Sequence, residues 1–103
     1  MVKKADRKII LFVNKVNAKF PLEKAIFFGS RARGDYLENS DYDIILVSKS
    51  FHGIFFSKRI SKMYEFWDDS LPIEPICYTP EEFKIKLKEH GIVRQAMKEG
   101  IEI

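Results

Sequence analysis

The sequence predicts an α/β layer fold with at least three β-strands. Short apolar runs typical of buried strands alternate with longer segments whose apolar residues recur at helical spacing, in the order helix, strand, strand, helix, strand, helix, helix. A chain of 103 residues, of which 46% are hydrophobic and 14% aromatic, has enough apolar surface for one core but not for two. We therefore expect a single domain over residues 1–103.

The amino-terminal half begins with a predicted helix from about Ala5 to Lys19, which Pro21 terminates. Its apolar residues form one stripe, made of Ile9, Phe12, Val13, Val16 and Phe20. Two predicted strands follow, Ala25–Phe28 and about Tyr42 to Ser48, with a polar segment between them. That segment therefore joins the ends of two buried strands.

The carboxy-terminal half begins with a helix predicted within Phe55–Asp68, whose apolar stripe consists of Ile60, Met63, Tyr64 and Trp67. A third strand is predicted over Ile73–Tyr78. The sequence Thr79-Pro80-Glu81-Glu82 has the form of a capping box with proline at the first helical position, so a helix should start there and run to about His90. A last short helix is predicted over Val93–Glu99.

Two carboxylates, Asp41 and Asp43, lie one residue apart at the start of the second strand. Because successive side chains of a strand point to opposite faces, both project from one face while Tyr42 points to the other. Two carboxylates on one face repel each other and resist burial unless a cation or several donors lie between them. Mg²⁺ binds carboxylates together with phosphate oxygens, and two such ions can clamp the attacking and leaving oxygens of a displacement. The pair is a candidate magnesium site.

A glycine-serine turn, Gly29-Ser30, follows the first strand. Glycine lets the backbone approach a phosphate closely, and Ser30 offers a hydroxyl and an N–H at the start of a possible short helix. Arg31 and Arg33 add positive charge beside it. Taken separately, these features also suit a plain tight turn with solvated arginines, but their combination with Asp41 and Asp43 between two strands favours a nucleotide site.

The spacing of Gly29-Ser30, ten residues, and Asp41-x-Asp43 resembles the signature of the DNA polymerase beta-like nucleotidyltransferase superfamily. The fuller pattern Gly-Ser-Arg-Ala-Arg-Gly, then Ser-Asp-Tyr-Asp, resembles its minimal nucleotidyltransferase branch. The resemblance implies a small mixed sheet flanked by helices, binding of ATP with Mg²⁺, and transfer of AMP to a hydroxyl with release of pyrophosphate. It further implies that Ser30, with Gly29, Arg31 and Arg33, holds the nucleotide and that Asp41 and Asp43 hold two metal ions.

Members of this superfamily usually carry a third carboxylate, commonly aspartate, on a neighbouring strand. At the matching position this chain has Glu74, which is one methylene longer. Because Mg²⁺ demands ligands at about 2.0 to 2.1 Å, the longer side chain could leave the second metal poorly held. The alternative is that Glu74 is simply a charged residue at a strand entrance between two prolines.

Minimal nucleotidyltransferases are commonly encoded beside a HEPN-domain ribonuclease, and the resemblance implies a type VII toxin-antitoxin pair in which the transferase places AMP on a tyrosine of the toxin. We therefore expect an antitoxin with a HEPN-domain partner. One alternative is a non-catalytic module of the same fold that neutralises its partner by binding. Another is transfer to a small molecule, but relatives of that kind usually carry an additional helical domain. Phe51, Phe55 and Phe56 are more apolar surface than so small a core should absorb, and part of this region is expected to face another chain, although all three could also fill the core.

Several other classes of function are disfavoured. A polymerase needs further domains to hold a template, and the net charge of +3 comes from lysines scattered among acidic residues, so nucleic-acid binding is not expected. The single cysteine, Cys77, excludes an internal disulfide, and no apolar window has the length of a membrane span, so we expect a cytoplasmic protein. His52 and His90 are isolated and unsuited to metal ligation. Arg59 could reach the acidic site or a phosphate, or form a surface ion pair.

Overall fold

The computed structural model describes residues 6–103 and places five α-helices around a four-stranded sheet in that range. The helices are α1 (Arg7–Lys19), α2 (Ser30–Arg33), α3 (Phe56–Met63), α4 (Pro80–Leu87) and α5 (Ile92–Glu99). The strands are β1 (Lys24–Phe28), β2 (Tyr42–Val47), β3 (Ile73–Tyr78) and β4 (Ile101–Glu102), and 3-10 turns occupy Lys49–Phe51 and Tyr64–Phe66. The predicted α/β class is confirmed, while Ala5, the predicted start of the first helix, lies outside the described residues.

The sheet is mixed and has the strand order β3-β2-β1-β4. β1 runs antiparallel to both β2 and β4, whereas β2 and β3 are parallel and are connected through α3. The register places Asp43 of β2 opposite Phe28 of β1 and opposite Glu74 of β3. The mixed sheet implied by the family resemblance is therefore present.

Two apolar layers cover the two faces of the sheet. On one face α1 packs its stripe, Ile9, Phe12, Val13 and Val16, against strand residues that include Tyr42 and Ile44. On the other face α4 and α5 contribute Phe83, Val93 and Ala96 against strand residues that include Phe28 and Ile45. Because side chains alternate along β2, Asp43 projects from the face covered by α4 and α5.

The helix boundaries differ from the predicted ones for local reasons. The capping box at Thr79 forms as predicted, with mutual hydrogen bonds between Thr79 and Glu82. α4 then ends at Leu87 rather than near His90, because the next turn tightens into i to i+3 bonding at Lys88 and Glu89. α3 is also shorter than predicted, since its last turn becomes the 3-10 turn Tyr64–Phe66.

The strand β4 was not predicted, because two residues carry no periodicity. It lies against β1 directly after α5, where Gly100 brings the backbone close to the first strand. A Cβ at Gly100 would lie 2.5 Å from the carbonyl oxygen of Ala96 and 2.7 Å from Cγ2 of Ile26. Gly100 therefore makes this close approach possible even though its φ of −81° is ordinary.

The three phenylalanines of the region expected to face another chain separate into two groups. Phe51 is fully buried in the core, whereas Phe55 is 80% exposed and Phe56 is 45% exposed. The core thus takes one of the three rings and leaves two at the surface.

In the described part of the chain, no helix combines the length and the apolar character that a membrane crossing requires.

Candidate active site

Three carboxylates lie near one another at one end of the sheet, where β2 and β3 begin. Asp43 and Glu74 are register partners on neighbouring parallel strands, and Asp41 precedes Asp43 by two residues. Tyr42, between the two aspartates, is buried on the opposite face, as the strand alternation predicts. The sheet register therefore brings the predicted third carboxylate beside the predicted pair.

The carboxylates perturb one another. The pKa of Asp43 is raised, chiefly because the group is half-buried and also because of the charge of Asp41, while a hydrogen bond with Glu74 and the charge of Arg33 act in the opposite direction. The pKa of Glu74 is raised above its ordinary value by a hydrogen bond with Asp41, by desolvation and by the charges of both aspartates. The negative charge of such a cluster favours a bound cation.

A divalent cation is the group that the family implies for this site. Carboxylate oxygens are the ligands that Mg²⁺ prefers, and crowded carboxylates whose pKa values rise are suited to it, so Asp41, Asp43 and Glu74 fit as its ligands. Within residues 6–103, however, no three His, Cys, Asp or Glu side chains stand close enough together to hold one metal ion without moving. The two-ion arrangement stays a prediction.

Gly29 is fixed at this site by both its backbone and its neighbour. Its φ of 83° and ψ of −168° are a conformation that residues with a Cβ rarely adopt. A Cβ built there would collide with the Oδ2 oxygen of Asp43 and would lie 3.1 Å from its Cγ atom. The sequence indicated a glycine for close approach to phosphate, and the structure adds that Gly29 makes room for the Asp43 carboxylate.

Ser30 and Arg33 occupy the single turn α2, which begins at Gly29 and ends at Gly34. Ser30 is half-buried at the first position of this turn. Arg33 forms ion pairs with Asp35 at 3.2 Å and with Glu99 of α5 at 3.3 Å. Its charge also limits the rise in the pKa of Asp43. Arg33 thus lies near the carboxylates, and contact of either residue with a nucleotide stays a prediction.

Arg31 is placed differently from Arg33. Its guanidinium donates hydrogen bonds to the main-chain carbonyls of Ser40 and Glu38 and lies over the rings of Tyr36 and Tyr42. These contacts all lie within the segment that leads from α2 to β2 or at the start of β2. The nucleotide contact predicted for Arg31 has no counterpart among them.

Arg59 is buried and lies away from the cluster of three carboxylates. Its side chain is 6% exposed and pairs with Glu82 at 2.6 Å, and it donates hydrogen bonds to the carbonyls of Ile54 and Cys77. Cys77 lies near the carboxyl end of β3, whereas Glu74 lies near the amino end. The predicted reach of Arg59 to the acidic site is therefore wrong, and its ion pair is formed by a buried arginine rather than a surface one.

Three further residues, Cys77, His52 and His90, lie outside the carboxylate cluster. Cys77 is a buried free thiol, and burial raises its pKa to about 12. His52 and His90 are both exposed, and the Nδ1 atom of His90 lies 3.2 Å from Arg94.

The sequence reasoning missed Asp6, whose carboxylate accepts a hydrogen bond from the Tyr42 hydroxyl at 3.0 Å. The only sequence signal for this contact is a tyrosine between the two aspartates.

The family model described as the nucleotidyltransferase domain matches residues 9–103, which include every candidate site residue. The chain belongs to this nucleotidyltransferase family. The carboxylate cluster and the Gly29-Ser30 turn lie within the matched region, and their assignment as the active site of this domain stays a prediction.

Two relatives from Methanocaldococcus jannaschii are named as proposed protein adenylyltransferases. The chain is 48% identical to one of them over 44 residues and 40% identical to the other over 63 residues. These matches cover 41% and 58% of the chain and 44% and 63% of the relatives. The chain therefore spans less than two thirds of either relative in the matched region.

Two solved structures have a similar arrangement of elements. A crystal structure of a proposed nucleotidyltransferase from Sulfolobus solfataricus gives a TM-score of 0.62 at 27% identity, and the match covers 99% of this chain and 90% of that one. BolA1 from Arabidopsis thaliana gives a TM-score of 0.59 at 16% identity and covers 76% of this nucleotidyltransferase chain and 98% of its own. The second similarity is one of fold alone.

Proposed function

We propose that this nucleotidyltransferase moves AMP from ATP to a hydroxyl, in particular a tyrosine hydroxyl, of a HEPN-domain toxin, and so acts as the antitoxin of a type VII pair in the cytoplasm. The observation that carries the transfer reaction is the register of β2 and β3, which sets Glu74 beside Asp43 and Asp41. The names of the two archaeal relatives support a protein as the acceptor.

The chemistry assigns one task to each group. Asp41, Asp43 and Glu74 would hold Mg²⁺, which when bound supplies charge stabilisation for the triphosphate and for the pyrophosphate that leaves. The Gly29-Ser30 turn would lie against the triphosphate. The acceptor oxygen forms a bond to the α-phosphorus, the bond from that phosphorus to the pyrophosphate oxygen breaks, and pyrophosphate departs with the electron pair.

The proton of the acceptor hydroxyl goes to a carboxylate of the cluster. Glu74 suits this task because its pKa is raised by Asp41 and Asp43, and a general base works best when its pKa approaches the working pH. Its position near the amino end of β3 also leaves the Glu74 side chain exposed, so an acceptor on another chain can reach it. The outermost carboxylate of the cluster is thus the proposed base.

The partner would bind beside α3. Phe55 and Phe56 begin this helix and are 80% and 45% exposed, and the Phe56 ring packs on Tyr78 with 5.9 Å between centroids. Large exposed aromatic side chains are enriched where protein surfaces meet. We therefore place the docking surface for the HEPN-domain protein at Phe55 and Phe56.

A second candidate function is neutralisation by binding alone. It is favoured by the glutamate in place of the usual aspartate and by the carboxylate positions, in which no three metal-ligating side chains of residues 6–103 converge. In that case the chain would block the toxin without modifying it.

Incorporation of labelled AMP into a purified HEPN-domain partner, with ATP and Mg²⁺, separates the two functions. We expect the wild type to label the partner, Asp43→Asn to lose both labelling and Mg²⁺-dependent ATP binding, and Glu74→Gln to lose labelling while keeping most ATP binding. Glu74→Asp should label at least as fast as the wild type. Glu81→Gln, an exposed carboxylate of α4, is the matched control and should leave labelling unchanged.

Three results would decide against parts of this proposal. Equal labelling by the wild type and Glu74→Gln would remove Glu74 from the reaction. A complex that protects against the toxin with no labelling at all would favour neutralisation by binding. Loss of complex formation in Phe55→Ser is expected on size-exclusion chromatography, and co-elution of this variant would contradict the docking surface.

A further inference from the structure

The Arg31 side chain is held by the segment that precedes the carboxylates. Its Nε atom donates to the carbonyl oxygen of Ser40 at 2.9 Å, and Nη2 donates to the carbonyl oxygen of Glu38 at 2.7 Å. Its guanidinium carbon lies 4.4 Å from the ring centroid of Tyr36 and 4.5 Å from that of Tyr42. One side chain thus fastens three points of the segment 36–40 and the first residue of β2.

These contacts continue through Tyr42 to the opposite layer of the fold. The Tyr42 hydroxyl lies 3.4 Å from Nη1 of Arg31 and donates to the Asp6 carboxylate at 3.0 Å. Asp6 is also the N-cap of α1, where it accepts a hydrogen bond from the Lys8 amide. We call Arg31, Tyr42 and Asp6 together the clamp.

The clamp encloses Asp41 from both sides along the chain. Arg31 bonds to the carbonyl of Ser40 directly before Asp41 and contacts Tyr42 directly after it. Because a main-chain carbonyl and a buried ring are both fixed, the Asp41 backbone between them has little freedom to rotate. The orientation of the Asp41 carboxylate toward Asp43 and Glu74 therefore depends on Arg31.

The same contacts argue against Arg31 as a ligand of the triphosphate. Every nitrogen of its guanidinium already has a polar neighbour: Nε has the carbonyl of Ser40, Nη2 that of Glu38 and Nη1 the hydroxyl of Tyr42. An arginine that grips phosphate uses this planar set of donors for the phosphate itself. A nucleotide contact through these donors would displace bonds that hold the site together, and only one N–H of Nη1 and one of Nη2 remain for any other contact.

We propose that Arg31 is a positioning residue, which acts through the backbone of residues 38–42 to hold the carboxylates in place for their cation, and that it does not bind the nucleotide. This inference rests on the proposed function, because it assigns a task within the same site. Interactions of this kind, one step removed from the metal, typically change metal affinity by about 10- to 100-fold.

The test compares Arg31→Lys, Tyr42→Phe and the double variant by two measurements on the protein without nucleotide. One is amide hydrogen exchange of residues 37–41, and the other is affinity for Mn²⁺ followed by electron paramagnetic resonance. Arg31→Lys is the decisive variant, because lysine keeps the charge but lacks the planar set of donors that bonds the carbonyls of Ser40 and Glu38, whereas Tyr42→Phe removes only the hydroxyl that links Arg31 to Asp6. Arg94→Lys and Tyr64→Phe, at exposed positions of α5 and the 3-10 turn, are the matched controls.

We expect each single clamp variant to speed amide exchange in the segment and to weaken Mn²⁺ binding by about tenfold, while the controls change neither. The double variant should bind Mn²⁺ about as weakly as the single variant with the lower affinity, because both changes break the same clamp. Titration of ATP with Mg²⁺ present then separates the roles, since the loss of ATP affinity in Arg31→Lys should match its loss of Mn²⁺ affinity.

Two results overturn the inference. If Arg31→Lys weakens ATP binding while its amide exchange and its Mn²⁺ affinity match the wild type, Arg31 contacts the triphosphate. If exchange rises but Mn²⁺ affinity does not change, the clamp serves stability alone. A wild type that binds ATP but not Mn²⁺ would remove the cation site that Arg31 is said to position, whereas a wild type that binds Mn²⁺ but transfers no AMP would refute only the proposed reaction.

Discussion

Replacing Gly29 by alanine tests the contact on which the site depends. Gly29 has a φ of 83° and a ψ of −168°, and an added Cβ would collide with the carboxylate of Asp43. The backbone strain alone should cost about 1 to 3 kcal/mol. The collision adds to this cost, because the Asp43 carboxylate would have to move to make room for the Cβ.

We expect Gly29→Ala to lose about 2 to 4 kcal/mol of unfolding free energy, which for a domain of this size lowers the melting temperature by roughly 10 to 25 °C. The matched control is Gly34→Ala, whose φ of 93° carries strain but whose added Cβ meets nothing within 4 Å. The control should lose only about 1 kcal/mol. Chemical denaturation by urea, followed by circular dichroism, measures both changes.

A double-mutant cycle isolates the collision from the strain. In the background of Asp43→Ala the Cγ and oxygen atoms that oppose the added Cβ are gone, so Gly29→Ala should cost about as much as Gly34→Ala does. AMP transfer by Gly29→Ala should fall about 100-fold or more, because a displacement of one ångström at a reacting group is enough for that. The reasoning fails if Gly29→Ala is no more destabilising than Gly34→Ala and shows no coupling with Asp43.

Three further predictions concern charge and packing. Burial and the charge of Asp41 raise the pKa of Asp43, so ionisation of this carboxyl lowers the stability of the folded state. This loss of stability is absent at low pH and begins as the pH rises above the ordinary pKa of 3.8. It is complete above the raised pKa. Without metal, Asp43→Asn should therefore be more stable than the wild type at pH 7 by up to about 1 kcal/mol but equal to it near pH 3, as urea titrations at both pH values will show, and equal stability at pH 7 would contradict the cause assigned here. Arg59→Met should lose about 3 to 5 kcal/mol of unfolding free energy, because two main-chain carbonyls and Glu82 lose their donor. Glu82→Gln should lose less, because the half-exposed glutamine still offers an oxygen to Arg59 and both main-chain bonds remain. Thermal unfolding measures both variants, and the reverse order would argue against a buried role for Arg59. Gly100→Ala should destabilise by about 1 to 3 kcal/mol through its contacts with Ala96 and Ile26, with faster amide exchange in β4, and unchanged exchange would show that the close approach is not required.

Local patterns in the sequence identified the elements that a helix or strand period can mark. The stripe of Ile9, Phe12, Val13 and Val16 is buried as the 3.6-residue period requires, and the alternation at Asp41, Tyr42 and Asp43 is reproduced in β2. The capping box at Thr79 also forms, since its hydrogen bonds lie within four residues. The family itself followed from the Gly29-Ser30 turn and the spacing of the aspartates, which the family match then confirmed.

Contacts between segments distant along the chain were settled only by the tertiary structure. The same sequence pattern that placed arginines at 31 and 33 gave both the same role, yet Arg31 is fastened to the carbonyls of Glu38 and Ser40 while Arg33 pairs with Glu99 of α5. Arg59 illustrates the same limit, because its partner Glu82 lies on another helix. Side-chain partners depend on which elements pack together, and no local period encodes that.

The sequence by itself determined which residue types form the site: a glycine beside two aspartates on one strand face, with a carboxylate available downstream. The family resemblance pointed to Glu74 as that carboxylate, but only the parallel pairing of β2 and β3 places it opposite Asp43. It is likewise the antiparallel register of β1 and β2 that sets Gly29 against the Asp43 carboxylate. A strand's own alternation fixes the face on which a side chain projects, but only pairing with a neighbouring strand fixes what it meets there, because register is a property of two segments together.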